Sequence, residues 1–201
     1  MNSSIRAARH GEVLLLSLEN PSGYPRLECA VLSSLAERID AAICKASIHG
    51  IVLSGTERAF AAGAEIQELA KLDAIGAHDF SRFGQQVMAR IERSPKPIIA
   101  AIRGYCFGGG LDLALACHAR IASEDARFAH PGAALGILTG WGGTQRLTRA
   151  IGRGRALEMF TAGDVISAAG ALRIGLVSEV LPSAEVIARG IQLAKGRRLG
   201  C

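Results

Sequence analysis

Three consecutive glycines, Gly108, Gly109 and Gly110, stand between an apolar stretch and an almost wholly apolar helix, and they constrain this chain more than any other feature. Residues Pro97-Ile-Ile-Ala-Ala-Ile102 read as a buried strand, and Leu111, Leu113, Ala114, Leu115 and Cys117 as a buried helix. The glycines then fall at the helix N-terminus. There the first-turn N–H groups lack intrahelical partners, and the positive end of the helix dipole favours an oxyanion or a phosphate. Glycine at such a junction also serves tight turns and close packing, so the run alone leaves both readings open. Asp112 falls in the first turn of the same helix, where a carboxylate suits the dipole and can face whatever the N–H groups bind.

A second glycine-marked strand end lies upstream. Ile48-His-Gly-Ile-Val-Leu-Ser-Gly55 reads as a short buried strand. The chain then runs through a small-residue loop into a predicted amphipathic helix with Ile66, Leu69 and Ala70 turned inward. Ala61, Ala62, Gly63 and Ala64 leave the main chain uncovered, which permits either close approach of a ligand or tight packing on a sheet. Two backbone donors on different strand ends are thus available to converge on one oxygen.

The remaining pattern fits an α/β chain. An opening hairpin-like segment leads to the turn-rich Asn20-Pro-Ser-Gly-Tyr-Pro25. A helix is predicted over about Glu28 to Lys45, with Val31, Leu32, Leu35, Ile39 and Ile43 on one face. The stretch from Ala70 to Glu92 reads as helical, and one further helix is predicted over Ala184–Ala194. Strand and helix alternate in between, which argues for a mainly parallel arrangement. The 201 residues suffice for one substantial core. Aromatic residues make up only 4%, so no stacking platform for nucleic acid is expected.

The net charge of +5 would help attract a polyanion, although a solvated basic surface that includes Arg153, Arg155, Arg173 and the Lys195-Gly-Arg-Arg198 segment accounts for most of it. Cys29, Cys44, Cys106, Cys117 and Cys201 show no metal-ligand spacing and no CxxC, so no metal is expected and reduced thiols in the cytoplasm are the simplest account. Val13-Leu-Leu-Leu-Ser-Leu18 is too short for a membrane span and lacks a cleavage-like site, so neither a signal peptide nor membrane insertion is expected.

Several stretches together resemble the crotonase superfamily, the enoyl-CoA hydratase/isomerase family. They are Ile51-Val-Leu-Ser-Gly55, Ala59-Phe-Ala-Ala-Gly-Ala-Glu-Ile66, Lys96 through Gly110, Phe128-Ala-His-Pro131, Leu135-Gly-Ile137 and Trp141-Gly-Gly-Thr-Gln-Arg-Leu147. Ala156 through Gly163 and Gly175 through Pro182 match later landmarks in the same order. The resemblance implies a spiral of β-β-α units, with residues 1–182 as an acyl-CoA-binding core and 183–201 as a short helical tail. Family members usually continue through further helices, most of which are missing here, so the trimer or dimer of trimers implied by the family is expected to be weakened.

The resemblance also assigns residues. Ala64 and Gly109 would give two N–H groups to the thioester oxygen of an acyl-CoA, with Ala62, Gly63 and Gly108 lining the same subsite. Losing one such donor typically costs ~3–4 kcal/mol of barrier. No permanently bound cofactor is implied, since the coenzyme A thioester is the substrate. The family's hydratases use two glutamates, and at those positions this chain has Asp112 and Gly132. Asp112 keeps the carboxylate on a shorter stem, whereas Gly132 supplies no acid or base. His130, two residues earlier, would point to the same side as Gly132 if the segment is extended, and is a candidate substitute, although a lone histidine at a strand end more often serves a structural or surface role. Glu124 and Asp125 are further carboxylates nearby, and Glu65 is expected to cap a helix. The implied activity is hydration of an enoyl-CoA. The alternatives are a one-carboxylate isomerase, decarboxylase or thioester hydrolase, and a catalytically silent CoA-binding subunit.

Overall fold

The computed structural model describes residues 2–196. Arg197, Arg198 and Cys201, which figure in the charge and cysteine arguments, lie outside the described residues.

The opening hairpin forms from β1 (Ser4–His10) and β2 (Val13–Glu19), paired antiparallel. Helix α1 (Cys29–Cys44) follows, buried through Val31, Leu32, Leu35 and Ile39. Ile43, predicted on the same face, is only partly buried, because it lies at the last turn where the helix leaves the core. Then come β3 (Gly50–Ser54), β4 (Ala59–Ala61), α2 (Ile66–Leu69), α3 (Ala74–Glu92), β5 (Ile98–Ile102), β6 (Tyr105–Phe107) and α4 (Gly109–Ala116). The chain continues through β7 (Ala119–Ser123), β8 (Arg127–Ala129), a 3-10 turn over Pro131–Leu135, α5 (Gly143–Ile151) and α6 (Arg153–Ala162). The last elements among the described residues are β9 (Ile166–Ser167), α7 (Ala168–Arg173), β10 (Glu179–Leu181) and α8 (Val186–Gly196).

The strands divide between two sheets, ordered β1-β2-β3-β5-β7-β10 and β4-β6-β8-β9. Each consecutive pair, β3 with β4, β5 with β6 and β7 with β8, sends its first strand to the larger sheet and its second to the smaller. Within each sheet these strands pair parallel. Repetition of that step generates the spiral of β-β-α units.

Strands β3 and β5 are buried at every residue because both faces of the larger sheet are covered. Ile51, Leu53, Ile98, Ala100 and Ile102 face the main core with α1, α3 and α4. Val52, Ile99 and Ala101 face a second cluster completed by Val186 and Ala194 of α8. Gly190 lets α8 lie close to the sheet, since a Cβ there would stand 3.3 Å from Val52 Cγ1.

Two helix expectations need correction. The helix after the first small-residue loop is one turn long, and its predicted inward face is wrong: Ile66 is 57% exposed and Ala70 is exposed as well. Ile66 and Leu69 border a cleft instead of the core, and an apolar pattern cannot tell these apart. The helix predicted from Ala70 begins only at Ala74, because the Asp73 carboxylate accepts the Gly76 N–H at 2.7 Å and starts a new helix there.

Candidate active site

The two glycine-marked loops do converge. β4 and β6 are neighbouring parallel strands, so the loops leaving them emerge side by side. Gly63 takes φ +107, which L side chains rarely adopt, and a Cβ there would stand 3.2 Å from the Phe107 carbonyl oxygen and 3.5 Å from Gly109 N. The loop is pinned where Leu27 N–H donates to Gly63 O and Ala62 N–H to Pro25 O, both at 2.8 Å.

Ala64 N–H, by contrast, donates to no backbone carbonyl among the described residues. Gly109 N–H opens α4, where no intrahelical acceptor exists, while Gly108 N–H is used on Ala129 O at 2.9 Å. Ala64 N lies 3.3 Å from where a Cβ on Gly109 would stand, so the two free donors are neighbours. That same Cβ would come within 2.5 Å of Trp141 Cζ3, so the position is closed to any side chain.

Ala62, Gly63, Ala64, Gly108 and Gly109 border one cleft of ≈ 360 Å³, together with Asp112, His130 and Gly132. All the site residues proposed from the sequence are therefore brought to one place. Its other wall is apolar, with Leu72, Phe80, Leu138 and Phe160 among its members.

Asp112 is fully buried in the first turn of α4. The Thr139 hydroxyl donates to its Oδ2, and Gly143 is a glycine because a Cβ there would overlap Oδ1. Burial pushes the carboxyl up to about 7, against the opposing pull of the Thr139 bond, the Arg146 charge and the Trp141 backbone N–H. Arg146 itself is held by Glu92 at 2.8 Å and by the Trp141 carbonyl at 3.0 Å. A carboxyl titrating near neutrality can both take and return a proton.

His130 is where the extended-segment expectation fails. β8 ends at Ala129, and Pro131 starts a 3-10 turn closed by Ile137 N–H donating to Gly132 O at 3.0 Å. His130 and Gly132 are therefore not related by strand alternation, although both reach the cleft. The imidazole is 4% exposed, lies 4.9 Å from the Phe160 ring centre, and is drawn down to about 4 by burial, so it is neutral near pH 7. Its Nε2 faces Asp112 Oδ1 at 3.6 Å. At Gly132 a Cβ would stand 2.7 Å from the Ile137 carbonyl oxygen, so the turn itself holds this position small.

Glu65 caps α2 by accepting Gln67 N–H at 3.2 Å and pairs with Arg26 at 2.6 Å, as expected of a helix-start residue. Glu124 and Asp125 are exposed and do not border the cleft. Sequence reasoning missed Thr139, which carries no local signal, and the structural part of Trp141. The indole packs on Phe80 at 5.2 Å between ring centres and is admitted by the missing side chains of Gly84 and Gly109. Those glycines were a signal, but only the fold shows that they meet one ring. Among the described residues no cluster of His, Cys, Asp and Glu could hold a metal ion, and no helix is long and apolar enough to cross a membrane.

The cleft thus combines two unpaired backbone donors with a buried carboxyl and an apolar wall, an arrangement able to stabilise an oxyanion and to exchange a proton. Residues 8–197 match the sequence model of the enoyl-CoA hydratase/isomerase family, and the chain belongs to that family. It is 41% identical over 192 residues to a 2,3-dehydroadipyl-CoA hydratase of Escherichia coli, covering 96% of this chain and 74% of that protein. A probable enoyl-CoA hydratase of Bacillus subtilis is 45% identical over 186 residues, covering 90% of this chain and 71% of its own length. The crystal structure of an enoyl-CoA hydratase from Bacillus anthracis superimposes with a TM-score of 0.89 at 35% identity, over 97% of this chain and 76% of that one.

Proposed function

We propose that this chain is an enoyl-CoA hydratase, adding water across the double bond of a 2-enoyl-CoA thioester. The observation that carries the reading is the meeting, in one cleft, of the unpaired Ala64 and Gly109 N–H groups with the buried Asp112 carboxyl. The two N–H groups receive the thioester oxygen as it gains charge, and being fixed in advance they cost no reorganisation when the anion forms. Asp112 exchanges the proton between the added water and the carbon next to the thioester. Coenzyme A enters as part of the substrate, and the net charge of +5 favours its approach.

The missing side chain at Gly132 favours a second reading, a one-carboxylate reaction such as double-bond isomerisation, decarboxylation or thioester hydrolysis. Binding without turnover is a third. Incubation with a panel of short and medium enoyl-CoA thioesters, analysed by mass, separates them. A gain of one water is the expected result, whereas an isomer, loss of carbon dioxide, free coenzyme A, or saturable binding with no product each replaces the hydratase reading. Cytoplasmic residence and a homo-oligomer belong to the same proposal. An assembly would cover exposed apolar side chains such as Leu157 and Leu172, and sedimentation tests it.

A further inference from the structure

Asp112 Oδ1 and His130 Nε2 confront each other inside the cleft at 3.6 Å, too far for a direct hydrogen bond. Both side chains are more than nine-tenths buried, and neither atom has a hydrogen-bond partner among the described residues. Buried polar atoms are rarely left in that condition, and two of them facing each other define a polar niche in an otherwise apolar wall. At that separation a water placed off the line between them would be within hydrogen-bond length of both. We propose that Asp112 Oδ1 and His130 Nε2 together hold the water that is added to the substrate, His130 supplying the second polar arm that Gly132 lacks.

This inference rests on the hydratase reading and gives it an atomic form. The groups acting on the pair are few. Thr139 occupies Oδ2, Arg146 of α5 is the cation that acts on Asp112, the Trp141 backbone N–H also favours its charged form, Cys106 of β6 senses the carboxylate, and the Phe160 ring against His130 carries no charge. In the neutral imidazole Nε2 accepts when the proton is on Nδ1, the tautomer this water arrangement requires. The water then donates one hydrogen to each arm, and a lone pair is left to attack the substrate's β-carbon. As the C–O bond forms, the π pair moves to the thioester, whose oxygen takes the charge at Ala64 and Gly109. Asp112 receives the proton released by the water and returns it to the α-carbon as the enolate collapses. One water is added, and nothing is oxidised or reduced.

Diffraction at a resolution that shows solvent, combined with kinetics, tests the pair. In the wild type a water is expected within about 3.2 Å of both atoms. His130→Leu is expected to lose that water and to lower kcat for crotonyl-CoA hydration by ~10²-fold or more, with KM and Tm changed little. His130→Gln offers an amide oxygen as acceptor and is expected to recover about tenfold of the loss. Full kcat in His130→Leu, equal losses in Leu and Gln, or an active wild type without the shared water would overturn the role of His130. A wild type that binds acyl-CoA and holds the water but hydrates nothing would instead overturn the hydratase reading.

Discussion

The loops after β4 and β6 are packed until a single methyl does not fit at Gly109, whereas across the cleft the stretch from Pro131 to Leu138 leaves Leu135 and Leu138 56% and 61% exposed. The crowded wall presents main-chain atoms, so its chemistry survives any sequence that keeps the residues small and the loops in place. The opposite wall contributes side chains and turn geometry, so its chemistry changes with single residues, as at Gly132. Asp112 sits between them, on the crowded wall's helix but reaching towards the other. On the proposed function, anion stabilisation is the rigid half of this site and proton handling the adjustable half.

The largest effect is expected where the two halves meet. Asp112→Asn keeps the shape but cannot take a proton, and should lower kcat by ~10²–10⁴-fold with little change in Tm. A small loss would put proton handling on other residues. Gly109→Ala drives a methyl into the Trp141 ring and displaces the N–H, so a ~10²–10³-fold loss in kcat accompanied by a lower Tm is expected. An unaltered kcat would mean that the crowding has no catalytic purpose.

Proton binding by the Asp112 and His130 pair gives a subtler test. Asp112 rises from 3.8 to about 7 on folding, so the native state holds an extra proton in that window, and taken alone this makes stability fall as pH rises. His130 drops from 6.5 to about 4, so the native state lacks a proton there, and taken alone this makes stability fall as pH falls. Between about pH 4 and 6.5 the two contributions oppose and nearly cancel. Denaturant titrations should therefore show stability rising with pH over that window in Asp112→Asn, and falling with pH in His130→Gln. Each slope should differ from the wild type's by on the order of 1 kcal/mol per pH unit. Parallel slopes in all three proteins would show that the pair is not buried as described. The smallest effect belongs outside both walls. Asp73→Ala removes the α3 cap and should cost about 1 kcal/mol in a denaturant titration without changing kcat at saturation.

The crowded wall was legible in the sequence because its requirements are local. Three glycines between an apolar strand and an apolar helix have few solutions, and the continuous apolar runs of β3 and β5 announce strands buried on both faces. α1 was readable within a residue at either end from its periodic face. The adjustable wall was not. Thr139 meets Asp112 only because the chain between the Pro131 turn and α5 takes a particular path, and Ile66 is apolar for the sake of a cleft and not of the core. His130 was reached by proximity in sequence to Gly132, but the strand alternation invoked for it does not exist. Its burial under Phe160 and its approach to Asp112 are products of the tertiary fold.

Whether main-chain donors on the crowded wall stabilise the thioester oxyanion is decided at Ala64. Turnover of a 2-enoyl-CoA by Ala64→Ser and Ala64→Pro should be compared at saturating substrate, with acyl-CoA binding measured for both. Serine keeps the N–H and proline removes it. Near wild-type kcat is expected for serine, and a loss of ~10²-fold or more for proline while binding persists. Equal kcat in two variants that both bind acyl-CoA would contradict that role for the donors.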